Sequence, residues 1–151
     1  MTFRRILVPV DFSASSDHAL DEAVRLAKQL DARLWILHVV EIPLPGWPVY
    51  GREFSPEALI EKGREGAAQQ LEVLASRVSP LEVEPLVRVG TPFVEIIAAA
   101  REIGADLIVM GTHGRTGLAH ALIGSVTEKV VRASPCPVLT IRHPSLAVPV
   151  P

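Results

Sequence analysis

Gly111, Gly114, Gly117 and Gly124, the last followed by Ser125, come after a short branched apolar run, Ala105-Asp106-Leu107-Ile108-Val109, with Met110 at the junction. Such residues do their chemistry through the backbone. Glycine lets N–H groups approach a ligand closely and permits positive φ. A helix opening at Gly124-Ser125 adds orphan amides and the positive end of its dipole, so the stretch reads as a phosphate cradle. Ser125 has a second reading, because Ser125-Val126-Thr127-Glu128 has the spacing of a capping box. Asp11, at the end of the apolar run Ile6-Leu7-Val8-Pro9-Val10, is the acidic counterpart of the glycine loop. It could cap the helix that follows, but Ser13, Ser15 and Ser16 compete for that role and leave Asp11 for a ligand.

Other chemistries lack their residues. No Gly-x4-Gly-Lys-Ser/Thr stretch is present for a P-loop, and no Gly-x-Gly-x-x-Gly follows the first apolar run for a dinucleotide. No Ser-His-Asp or metal constellation emerges: His113 and His120 share one loop without a carboxylate cluster. A hydrolytic reaction would have only Asp11 and His113 as candidate bases. Cys136 is the single cysteine, in the setting Pro135-Cys136-Pro137-Val138, and reads as a small core residue in a reducing compartment.

The elements that must position these residues follow from periodicity. Ile6 to Val10 is too continuously apolar for a sheet with one wet face and belongs at the centre of a covered one, with pairing ending at Pro9. Ala19, Leu20, Ala23, Val24, Ala27 and Leu30 recur at helical spacing from Ser16 onward. Arg33 to Val40 is a second buried strand, and a strand-helix-strand unit of this length implies a parallel pair. His38 at its end reads as a hydrogen-bonded structural residue. Residues 41–55 form an irregular insertion carrying Trp47, Tyr50 and Phe54, which either packs on the protein or closes over the crevice as a lid.

Ser55-Pro56-Glu57 opens a helix to about Val78, with Leu59, Ala67, Leu71 and Leu74 inward and Gly63 and Gly66 weakening it. Val83 to Val89, bearing Glu84 and Arg88, is a strand near one edge. Thr91-Pro92 starts a helix that places Phe93, Ile96, Ile97 and Ala100 inward and stops at Gly104. After the glycine loop, Val126, Val130 and Val131 face inward on the last helix, which Pro135 ends. Pro137 to Arg142 is the final strand. Five strands alternating with four helices describe an α/β domain, a doubly wound parallel sheet spanning residues 1–143, with 144–151 as a frayed tail.

At 151 residues the chain suits one domain, and its formal net charge of -2 leaves no basic surplus for a nucleic-acid backbone or an anionic membrane. No apolar run approaches the roughly 20 residues of a membrane span, nor does Met1 to Arg5 lead into a signal-peptide core, so a cytoplasmic location is expected.

The spacing Gly-x2-Gly-x9-Gly-Ser from Gly111 to Ser125, preceded by Met110, resembles the nucleotide-binding signature of the universal stress protein family, in its ATP-binding branch. The element order matches over nearly the whole chain. The resemblance implies a Rossmann-like sheet of strand order 3-2-1-4-5, which brings Asp11 and the glycine loop to one switch point. It puts adenine and ribose against Pro9, Val10, Asp11, Val39 and Met110, ribose and phosphates on Gly111 and Gly114, and the phosphate tail on Gly124, Ser125 and Val126. Arg115 would add a charge-assisted phosphate contact, and Mg²⁺ would accompany the ATP. The implied function is an ATP-binding stress-response or regulatory protein. Its alternatives are a slow ATP hydrolase or phosphate-transfer protein, and a dimeric interaction module that binds no nucleotide. Family members commonly dimerise through the last strand, and Val138 to Ile141, an apolar edge without lysine, proline or bulge, fits a homodimer contact.

Overall fold

A computed structural model describes residues 1–42, 55–114 and 123–146. Five parallel strands, β1 (Arg5–Pro9), β2 (Arg33–Val40), β3 (Val83–Val89), β4 (Leu107–Gly111) and β5 (Val138–Ile141), form one sheet in the order β3-β2-β1-β4-β5. Between them run α1 (Ala14–Leu30), α2 (Pro56–Arg77), α3 (Pro92–Ile103) and α4 (Ser125–Ala133). A 3-10 turn, Pro144–Leu146, follows β5. The α/β class and strand order expected from the sequence and its resemblance are those observed.

Alternation along the central strands explains the two layers of core. Ile6 and Val8 of β1 pack with Leu20, Ala23 and Ala27 of α1 and Leu71 of α2. Leu7 faces the other side, with Ile96, Ala99 and Ala100 of α3 and Val130 of α4. Ile6, Leu7 and Val8 are fully buried, as a strand covered on both faces must be. At the edge, the Gly90 amide donates to Val40 O; alternation along the strand then turns the nitrogen of Pro85 away from β2, where no ladder bond is lost.

Several local expectations are corrected. α1 begins at Ala14, with the Ser13 hydroxyl accepting from Ser16 N, so Ser13 rather than Ser16 opens it. Thr91 stands before α3 but its hydroxyl makes no cap bond; only its carbonyl accepts, from Glu95 N at 3.0 Å. On α4, Val130 is buried and Val126 half-buried, whereas Val131 is exposed. β4 starts two residues later than the apolar run and continues through Met110 and Gly111, which pair with Thr140 and Ile141. Its start is delayed because Asp106 turns its carboxylate to the amides of Arg4 and Arg5, both at 2.9 Å.

The glycines also serve differently. None of Gly111, Gly114 and Gly124 has a positive φ. Gly111 is required by packing, since a Cβ there would lie 2.5 Å from Ser15 Oγ. Gly124 is the N-cap of α4 and Ser125 its first residue, so the capping-box reading of Ser125 fails. What ties this helix to the sheet is Thr127, whose buried hydroxyl donates to Gly111 O at 2.9 Å.

Thermal unfolding should separate these roles. Ser13→Ala loses a cap and is expected to cost about 1 kcal/mol, while Ser125→Ala should leave stability within about 0.5 kcal/mol of the parent, as a surface change does. Thr127→Val leaves the Gly111 carbonyl without its donor and should cost roughly 1–3 kcal/mol.

Candidate functional site

The carboxyl ends of the strands are uneven, and the unevenness makes the site. β1 pairs with β4 only at Ile6 and Leu7, and with β2 as far as Pro9↔Leu37. β2 continues three residues further, to Val40, beside β3. The Val10 amide adds one more bond, to Leu37 O at 2.8 Å, so pairing outlasts Pro9 on the β2 side. The nitrogen of Pro9 then faces β4, beyond the last β1–β4 pair, where its missing hydrogen costs no ladder bond.

The next acceptor for the β2 ladder would be Val10 O. It accepts instead from His38 Nδ1 at 2.8 Å, and the imidazole also stacks on Phe12, with ring centroids 4.4 Å apart. His38 is thus the hydrogen-bonded structural residue expected, and what it holds is the turn in which Phe12 adopts φ 62°. In that turn Asp11 Oδ1 accepts from Ser13 N at 3.0 Å, and Asp11 N donates to Ser16 Oγ. Val39, whose N–H and C=O point to the β1 side of β2, has no ladder partner there among the described residues.

These ends surround a cavity of about 640 Å³, within the range of small-molecule sites. Pro9, Val10 and Asp11 line it from β1, Val39 from β2, Met110 and Gly111 from β4, Gly114 from the loop, and Gly124, Ser125 and Val126 from the start of α4. Gly114 lies so close to Asp11 that a Cβ would sit 2.8 Å from Asp11 Oδ2. Arg115 lies outside the described residues, as do Gly117, His120, Trp47, Tyr50 and Phe54.

At α4, the Gly124 amide is used by Thr112 O at 2.6 Å, and Glu128 N bonds Gly124 O. The amides of Ser125, Val126 and Thr127 precede the first intrahelical donor, and all three residues line the cavity. Among the described residues these three amides have no backbone partner, and amides so placed at a dipole end favour an anion. His113, buried beside them, has its Nδ1 2.9 Å from Thr112 Oγ1.

Sequence reasoning missed the wall formed by α2, where Lys62, Gly63, Gly66, Ala67 and Gln70 face the cavity. Its signal was two glycines three residues apart in a helix interior, read only as weakness. Cys136 is half-buried and packs against the core on the α3 and α4 side of the sheet, as a small apolar residue would, and burial pushes its thiol above the ordinary range, away from reactivity. Among the described residues no group of three or more His, Cys, Asp or Glu could hold a metal, and no helix is long and apolar enough to cross a membrane.

Residues 2–142 match the model of the universal stress protein family. Universal stress protein MJ0531 of Methanocaldococcus jannaschii is 37% identical over 144 residues, covering 94% of this chain and 84% of the relative. The solved structure of hypothetical protein MJ0577 superposes with a TM-score of 0.82 at 30% identity, covering 95% of this chain and 98% of the other. A universal stress protein in complex with cAMP matches at TM-score 0.70 and 26% identity, covering 93% and 98%. The universal stress protein from Archaeoglobus fulgidus in complex with dAMP matches at 0.60 and 26%, covering 93% and 99%. With the model matched across nearly its whole length and the same fold in these structures, the chain belongs to the universal stress protein family.

Proposed function

We propose that this protein binds ATP in the cavity at the carboxyl ends of β1, β2 and β4, and acts as a nucleotide-dependent stress-response regulator. One observation carries the reading: the residues Ser125, Val126 and Thr127, whose amides have no backbone partner among the described residues, line the same cavity as Asp11 and as Val39, whose N–H and C=O likewise have none there. Val39 offers a donor and an acceptor to the edge of a base, Asp11 an acceptor to ribose hydroxyls, and α4 its amides to the phosphate tail. The adenine nucleotides named for two of the matched structures support the same chemistry. Mg²⁺ would be carried on the phosphate oxygens, as this ion commonly is, with few protein ligands. The reading is of a nucleotide held rather than turned over, with Asp11, whose Oδ1 accepts from Ser13 N, and His113, whose Nδ1 lies 2.9 Å from Thr112 Oγ1, as positioning groups.

The same reading includes a homodimer through β5. That strand pairs with β4 on one side only, and Leu139 is 41% exposed on an edge with no proline or lysine. Two copies of one strand meeting across a two-fold axis run antiparallel, which closes the assembly.

Calorimetric titration tests the site. Ser125→Asp suits the start of a helix but sets a negative charge beside the phosphates, so it should keep its melting temperature and lose at least tenfold in ATP affinity. Gly114→Val drives a side chain into Asp11 and should abolish detectable binding. ATP affinity unchanged in both variants would exclude the cavity. For the dimer, light scattering should give a dimer for the parent and monomer, or a mixture, for Leu139→Lys; a parent that stays monomeric at high micromolar concentration refutes the contact.

A further inference from the structure

α2 breaks a local rule twice. Gly63 and Gly66 both lie in its interior, where glycine is less stable than alanine because it forfeits more backbone freedom on folding. Gly63 has a reason within the protein: a Cβ there would lie 2.9 Å from Val40 Cγ1, so the glycine lets the helix settle on the overhanging end of β2. Gly66 has none of that kind. A Cβ built on it meets nothing within 4 Å among the described residues. The helix has room for a methyl group that its sequence withholds.

The open side of Gly66 gives onto the cavity. Lys62, Gly66 and Gln70 fall at i, i+4 and i+8, one stripe of the helix, and all three line it. The crossover between parallel strands makes α2 run back along β2. Gly66 is therefore almost one turn deeper than the Gly63–Val40 contact, beside the stretch of β2 that includes Val39. Bare helix backbone thus flanks the place where the Val39 N–H and C=O have no partner among the described residues, with a cationic and an amide side chain one turn above and below.

We propose that Gly66 is a specificity-determining residue: the cavity takes a purine base whose edge meets the Val39 backbone and whose face lies flat on α2 at Gly66, between Lys62 and Gln70. This deepens the nucleotide reading above and rests on it. A Cβ at position 66 would occupy the space of the ring face, and a leucine would fill it. The glycine thus costs the free protein stability and is retained for the bound state.

The two demands have opposite signs, which makes the test decisive. Gly66→Ala and Gly66→Leu should each melt at or above the temperature of the parent without nucleotide, since both residues favour a helix over glycine. Titrated with ATP, Gly66→Ala should lose about threefold in affinity and Gly66→Leu more than tenfold. If the parent binds ATP and Gly66→Leu binds it within twofold, the base does not lie on Gly66 and the proposal falls. If Gly66→Ala melts below the parent, the glycine serves the protein's own packing and the proposal falls as well. A parent that binds no ATP overturns the nucleotide reading itself, and this inference with it.

Discussion

Most of what is specific about this molecule depends on one mismatch in the sheet: β1 ends at Pro9 while β2, its neighbour, runs on to Val40. Were the two equally long, the Val39 N–H and C=O would be spent on a ladder bond. Because β1 stops, an overhang of about 10 Å at a strand rise of ~3.3 Å per residue stands over the switch point with its inner polar edge open. His38 enforces the mismatch from the overhang itself, by taking Val10 O and backing Phe12. Phe12 at φ 62° is costly for a bulky residue. The imidazole contacts are what over-determine that conformation.

The open amides at the far side arise from a comparable restraint. α4 has a glycine for its N-cap, so no cap side chain competes for the amides of Val126 and Thr127. The helix forgoes a side-chain cap, at a cost of only about a few tenths of a kcal/mol for glycine, and is tied to the sheet by the buried Thr127 hydroxyl on Gly111 O. That bond comes from the inner face of the helix. It fixes the first turn against β4 without touching the amides that face the cavity.

Much of this was legible in the sequence, and the rest was hidden for physical reasons. Continuous apolar runs marked β1 and β2 as doubly covered, and serine followed by proline marked the start of α2. Strand order is a tertiary property that periodicity does not carry; it came from the resemblance. The glycine loop was recognised as a backbone site, but for a partly mistaken reason. Positive φ is the usual signature of glycine, whereas Gly111 is needed because Ser15, backbone included, crowds the place where a Cβ would stand, and Gly114 keeps clear of the Asp11 carboxylate. Only a packed structure shows that. The α2 wall was missed on similar grounds, since an interior glycine reads as a defect until the surface it faces is known.

A site built mainly from backbone groups has a consequence for how a bound ligand could act. The Val39 edge, the Ser125–Thr127 amides and the Asp11 turn belong to the end of β2, the start of α4 and the end of β1, and among the described residues they are joined by short bridging contacts such as His38 to Val10. A molecule spanning all three would cross-link the carboxyl edge of the sheet. It would stabilise the native state by RT ln(1 + [L]/Kd), about 2.7 kcal/mol at a hundredfold excess over Kd. That increment is a sizeable share of the roughly 5–15 kcal/mol by which domains are stable. Occupancy would therefore be registered as rigidity of this edge. In a sheet whose core is already close-packed on both faces, the strand ends are where such a difference between free and bound states can be expressed.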